Sequence, residues 1–228
     1  MTEPHPAKSK FHFYLVSIVT LGNLFFGLLS LVLVSVGELR AGAICLICGA
    51  ILDAFDGSLA RRWKVLSPFG AQLDSLADMV AFGVAISWLC WNWLMSQQPS
   101  LWWLTGAVCA LPGLMSAIRL ARFNSSESNP SFFEGIPTTA MAGLVVLIYL
   151  SNPTMPYWPA LIIVAVISLL MVSRFPYPKL SFFLAFDYWW LLIIPIAGLL
   201  MWNPAVAVLT VGGVYVLLGI YFTIAAKR

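Results

Sequence analysis

Apolar residues run along the chain in long blocks separated by short polar turns, at 13–36, 39–61, 71–96, 101–122, 137–151, 157–173, 186–202 and 205–226. A helix crossing a hydrocarbon core of about 30 Å needs about 20 predominantly apolar residues. The blocks therefore predict an all-α protein, a polytopic integral membrane bundle of about eight transmembrane helices. The fifth block is short, and the proline-bearing turn SNPTMPYWP (151–159) either joins two helices as a hairpin or breaks one bent element. The block beginning at Phe13 is too long for the apolar core of a signal peptide, so it reads as a retained helix. Residues 1–12 are then a cytoplasmic juxtamembrane tail, and 13–228 a single transmembrane domain.

Composition agrees with the pattern. The chain is 61% hydrophobic and only 9% charged, where soluble domains run at about 45–50% and about 25%. Its few charges orient it. With the N-terminus inside, Lys8, Lys10, Arg61, Arg62, Lys64, Arg119, Arg122, Arg174, Lys179, Lys227 and Arg228 all fall on the cytoplasmic side, and only Arg40 falls outside. That asymmetry fits eight spans with both termini cytoplasmic in the cell membrane. Trp88, Trp91, Trp93, Trp102, Trp103, Trp158 and Trp202 gather at the opposite ends, as an aromatic belt would.

Two classes of partner fall away. The basic residues form no patch with interleaved aromatics, which argues against nucleic acid. Cys45 and Cys48 have a CxxC spacing, but both histidines (His5 and His12) lie in the N-terminal segment and no second thiol pair is near in sequence. The cysteines, Cys90 and Cys109 included, read as small hydrophobes.

The acidic residues are the anomaly. Four of nine lie in one stretch of 26 residues, DAFDGSLARRWKVLSPFGAQLDSLAD, as Asp53, Asp56, Asp74 and Asp78. Asp53 and Asp56 are spaced i, i+3 near the end of the second predicted helix, and Asp74 and Asp78 i, i+4 at the start of the third. Each pair therefore projects from one helical face. The short turn with Pro68 and Gly70 returns the chain antiparallel, so the two carboxylate edges meet at similar depth. An ionised carboxylate at the centre of a spanning helix costs about 2.5–3.5 kcal/mol, and four converging ones repel each other as well. Divalent cations relieve both penalties, and an all-carboxylate site without Cys or His suits hard ions such as Mg²⁺, Mn²⁺ or Ca²⁺. Two ions a few ångströms apart would serve phosphoryl chemistry. Salt bridges to Arg61, Arg119 or Arg122, or an ion or proton pathway, are the other uses of such acids. Gly57 and Ala60 clear a face for a bulky ligand beside Asp56, and Arg61 adds a permanent cation where a phosphate could bind.

Written as a pattern, the stretch is Asp53-x2-Asp56-Gly57-x2-Ala60-Arg61-x8-Gly70-x3-Asp74-x3-Asp78. This resembles the signature of the CDP-alcohol phosphotransferases, integral membrane enzymes of phospholipid synthesis. The resemblance implies a homodimer with a site for two divalent cations, Mg²⁺ or Mn²⁺. It implies that Asp53, Asp56, Asp74 and Asp78 are the metal ligands and that Asp78 is also the catalytic base on the acceptor hydroxyl. It places Asp56, Gly57, Ala60, Arg61 and Gly70 around the CDP-linked donor.

Two further stretches, TLGNLFFGLLS (Thr20, Asn23, Gly27) and RLARFN followed by FFEGIPTTAMAG (Phe133, Gly135, Ile136, Pro137), are similar to the branch of this family that transfers a phosphatidyl group from CDP-diacylglycerol to L-serine. Isoleucine stands at 136 where that branch more usually has leucine. The partners expected are therefore CDP-diacylglycerol, L-serine and membrane lipids. Asn23, in mid-helix, either bonds across helices or joins the CDP-diacylglycerol site. A zwitterionic acceptor wants a cation and an acceptor group. Arg119 and Arg122, spaced i, i+3, are candidates for the carboxylate, and Asn124 or Glu134 for the ammonium.

Overall fold

A computed structural model describes residues 6–65, 67–125, 133–173 and 176–177. Six helices occupy them. They are α1 (Pro6–Ser35), α2 (Leu39–Trp63), α3 (Pro68–Met95), α4 (Pro99–Ser125), α5 (Thr138–Ser151) and α6 (Tyr157–Val172). They match the first six apolar blocks. The seventh and eighth blocks, and the basic residues Arg174, Lys179, Lys227 and Arg228, lie outside the described residues. From Phe11 onward, α1 and the three helices after it are long and apolar enough to cross a membrane, whereas α5 and α6 are shorter apolar helices of 14 and 16 residues. The chain is a helical, multi-pass membrane protein. The turn 152–156 separates α5 from α6, so the proline-rich stretch joins two helices.

The helix ends are set by local chemistry. α1 stops where Gly37 takes φ +89°, and the Glu38 N–H reaches back to the Leu33 carbonyl at 2.9 Å, closing a left-handed cap. α2 ends with Arg61 and Arg62 in its last turn, against the negative end of the helix dipole, and Lys64 turns the chain at φ 54°. Ser67 then caps α3, its Oγ accepting the Gly70 N–H at 3.0 Å, with Pro68 in the first turn. These caps set the two ends of the short connection between the acidic segments.

α3 is not uniform. Met79–Val84, immediately after Asp78, winds as a π-helical turn before α-helix resumes at Ala85. Such a turn re-aims the residues on one side of it relative to the other. It packs against α4 and α1, and a Cβ on Gly27 of α1 would lie 2.7 Å from the Ala81 Cα, so only glycine permits that approach. In α4 a first turn at Pro99–Leu101 leads into helix, with a break at Ala110 before Pro112.

The core lies among α3, α4, α5 and α6 and includes Phe82, Ile86, Leu89, Cys109, Met141, Val145, Val164 and Met171. By contrast, Tyr14, Ile18, Leu21, Phe25, Leu28 and Val32 form an exposed apolar stripe on α1, at spacings of three and four, the surface a lipid-facing helix presents. Trp102, Trp103 and Trp158 are exposed, in keeping with an interfacial belt. Trp93 departs from that expectation. It is buried against Tyr149, and its Nε1–H donates to the Pro153 carbonyl, because a buried indole must satisfy its one donor. The four cysteines are free, with Cys90 and Cys109 buried.

The segment before α5 is pinned. Phe133–Glu134 pairs antiparallel with Pro176–Tyr177, and Gly135 follows at φ +75°. A Cβ there would collide with the Met171 carbonyl oxygen. Gly135 is thus required twice over, by its backbone angle and by the nearness of α6.

Candidate active site

Helices α1, α2 and α3 bring the four aspartates together near the basic end of the bundle. Asp53, Asp56 and Asp74 each offer a carboxylate oxygen within 4.8 Å of the others. Asp78 lines the same cavity as Asp53. The residues at i, i+3 and i, i+4 therefore do form two facing acidic edges. Asp56 is buried, and the other three are half-buried.

Two polar residues on one face of α1 serve these acids. Thr20 Oγ1 donates to Asp56 Oδ2 at 2.6 Å, and Asn23 Nδ2 donates to Asp78 Oδ1 at 3.2 Å. Both are fully or nearly fully buried, and Gly49 makes room for the amide, since a Cβ there would sit 2.9 Å from Asn23 Oδ1. Thr20 belongs to the first-helix motif TLGNLFFGLLS. Its position three residues before Asn23, on the same face of an otherwise apolar helix, is the sequence signal that marks it.

The chemistry of the donor set fits divalent metal. All donors are carboxylate oxygens, the ligands hard cations prefer. Asp74 Oδ1 is moreover buried without a hydrogen-bond partner. A buried carboxylate oxygen left unsatisfied costs about 1–3 kcal/mol or more, and a bound cation removes that cost.

Two cavities flank the cluster. The larger, of about 540 Å³, opens between α1, α2 and α3 and is lined by Thr20, Asp56, Gly57, Ala60, Arg61, Gly70 and Asp74 among others. That volume suits a nucleotide-sized headgroup. Arg61 lies over Gly57, where a Cβ would be 3.4 Å from its Nη1, so the cleared helix face carries the guanidinium. The smaller cavity, of about 290 Å³, lies between α2, α3, α4 and the start of α5. Asp53, Asp78, Arg119, Pro137, Thr138 and Thr139 line it.

The remaining candidates separate. Asn23 lines neither of these two cavities but stands behind Asp78. Arg119 Nη1 donates to Thr138 Oγ1 at 2.9 Å, within the smaller cavity, whereas Arg122 Nη1 donates to the Val172 carbonyl at 3.3 Å. Asn124 is exposed and paired with Ser75 at 3.0 Å. Glu134 falls in the short strand before Gly135, and its side chain lies outside the described residues.

A membrane-embedded bundle with a carboxylate cluster between two cavities fits a transferase that brings two substrates to one cation site. Residues 13–225 match the CDP-alcohol phosphatidyltransferase family, and the chain belongs to it. Among its relatives, the CDP-diacylglycerol–serine O-phosphatidyltransferase of Helicobacter pylori is 32% identical over 212 residues, covering 90% of this chain and 88% of that protein. The enzyme of the same name from Bacillus subtilis is 32% identical over 168 residues, 72% of this chain and 90% of that one. The archaetidylserine synthase of Methanothermobacter thermautotrophicus is 30% identical over 169 residues, 73% and 70% of the two chains.

Proposed function

We propose that the chain transfers a phosphatidyl group from CDP-diacylglycerol to L-serine, releasing CMP, in the synthesis of phosphatidylserine. The observation that carries this reading is the pair of cavities meeting at one set of carboxylates, in a chain whose relatives bear serine-transferase names. The larger cavity takes the CDP headgroup, with Gly57, Ala60 and Gly70 leaving room for the nucleoside and Arg61 holding phosphate. The smaller takes the acceptor.

Arg119 is the cation for the serine carboxylate. It lies at the N-terminus of α5, whose first backbone N–H groups add positive potential where Thr138 and Thr139 line the cavity. Asp78 accepts the proton of the serine hydroxyl, and Asn23 Nδ2 holds that carboxyl in place by donating to Asp78 Oδ1. Serine oxygen then bonds to the lipid-linked phosphorus as the bond to the CMP oxygen breaks, and the lipid tails stay in the bilayer. Asp53, Asp56, Asp74 and Asp78 would hold two divalent cations, Mg²⁺ or Mn²⁺, which when bound neutralise the pyrophosphate and the departing CMP. The same reading has the chain as a homodimer in the inner (cytoplasmic) membrane. It has eight spans in one domain over 13–228, both termini cytoplasmic, and a site facing the cytoplasm.

The test offers purified protein CDP-diacylglycerol, Mn²⁺ and serine, glycerol phosphate or inositol phosphate in turn, and measures CMP and the lipid formed. Serine should be preferred clearly. Preference for either phosphorylated alcohol rejects the serine reading. The archaetidylserine relative supports a second reading in which the acceptor is still serine and the donor lipid differs. Comparing the two CDP-activated lipids in the same assay separates them. A cation transporter would instead move Mn²⁺ across liposomes without CMP release.

A further inference from the structure

Five residues line both cavities, namely Asp56, Gly57, Arg61, Asp74 and Phe123. They mark the junction where a group passing from the larger cavity to the smaller must lie. Four of them come from α2 and α3 and are two carboxylates, a glycine and a guanidinium. Phe123 alone comes from α4, and it alone brings apolar bulk. Its ring is 53% exposed, so it does not serve the fold by burial. It stands four residues after Arg119, one helical turn further toward the basic end of the bundle and on the same face. Phe123 therefore lines the acceptor cavity together with the cation assigned to serine, one turn further along the helix.

From this placement we propose that Phe123 screens the junction from water, so that the activated phosphorus is delivered to serine and not hydrolysed. The inference rests on the serine-transfer reading above. Water vastly outnumbers any dissolved acceptor and is the smaller nucleophile, so a site open to the membrane surface needs some means of excluding it. In the competing reaction the water oxygen bonds to the lipid-linked phosphorus and the bond to the CMP oxygen breaks. The water proton passes to Asp78 or to solvent, and the products are phosphatidate and CMP. Both reactions release CMP, and only the lipid product tells them apart. The plainer role for an exposed phenylalanine at a helix end is an interfacial anchor, which would scale both products together.

The experiment uses the full chain, purified in detergent, with labelled CDP-diacylglycerol, Mn²⁺ and saturating serine, and quantifies phosphatidylserine and phosphatidate. Phe123→Ala should lower their ratio by about tenfold or more, while Phe123→Trp keeps it near that of the unsubstituted protein. Should the alanine variant fail to accumulate in the membrane, Phe123→Leu carries the same test, with a smaller fall expected. A Phe123→Ala or Phe123→Leu ratio equal to that of the unsubstituted protein overturns the inference, even if total CMP release drops. Unsubstituted protein that makes no phosphatidylserine overturns the serine reading and this inference with it.

Discussion

Two arginines one turn apart show how far residue type and spacing carry. Arg119 and Arg122 share a helical face, and from spacing alone both were candidates for one carboxylate. Their guanidinium groups part company, one bonding Thr138 and the other the Val172 carbonyl. Long side chains start from the same face, and the neighbouring helices decide where they end. If Arg119 alone meets serine, Arg119→Ala removes a charge-assisted contact worth about 1.5–3 kcal/mol. The KM for serine should then rise about 10–100-fold, with the KM for CDP-diacylglycerol little changed and Arg122→Ala close to normal. Initial rates over a serine series check this, and equal effects at the two positions would sink the assignment. Asp78→Asn should remove transfer by about 100-fold or more while the protein keeps its helical circular dichroism and elution profile. Near-normal turnover would show that another group is the base. Thr20→Val deletes the donor to Asp56 at nearly constant shape. Because partners of a ligand tune metal binding, the Mn²⁺ concentration for half-maximal activity should rise about 10–100-fold.

At the scale of the element, much was legible before the structure. The six helices end within a few residues of the apolar blocks, because a membrane accepts little else over that length. Only α1 starts well outside its block, at Pro6 within the segment expected to be a tail. The facing of the two acidic edges was legible too, since helical period and a short turn leave few alternatives. The π-helical turn at Met79–Val84 was not. Nothing in its letters, MVAFGV, marks a widened turn, which arises from packing against α1 and α4. The division of the site into two cavities was equally hidden, as it depends on where α4 and α5 close over α2 and α3. The glycine of FFEGIP was visible as a letter but not as a constraint. Gly135→Ala must force φ +75° on a residue with a Cβ and displace the Met171 carbonyl. A cost of about 1–3 kcal/mol for the backbone angle alone predicts a lower melting temperature in detergent. Serine affinity should suffer first, because the segment sets the start of α5. An unaltered melting curve would mean that the α4–α5 connection relaxes freely.

For the whole molecule, the charge pattern makes a claim that the bundle makes testable. Glu38 and Lys64 lie at opposite ends of α2, which is 25 residues long and spans about 37 Å at about 1.5 Å per residue. A cysteine placed at Glu38 should react with an impermeant thiol reagent from outside intact cells, and one at Lys64 only after the membrane is opened. The reverse result would invert the bundle and move the carboxylate site to the far side from the cytoplasmic serine pool.

The hydrogen bonds from α1 to the aspartates also bear on how the protein is made. When α2 leaves the ribosome it carries Asp53 and Asp56 in a segment that must enter lipid, where an ionised carboxylate is costly. α1 is already present, and the tight Gly37 turn holds the two helices as a hairpin. In the folded bundle Thr20 donates to Asp56 at 2.6 Å, a bond that needs only α1 and α2. Such a bond would let the polar face of α1 shelter its successor during insertion, and Asn23 would do the same for Asp78 once α3 follows. A chain with Thr20 and Asn23 both changed to leucine should be more apolar yet insert its second helix less completely. On that account the first internal bond of the site would form before α3, which carries Asp74 and Asp78, has been made.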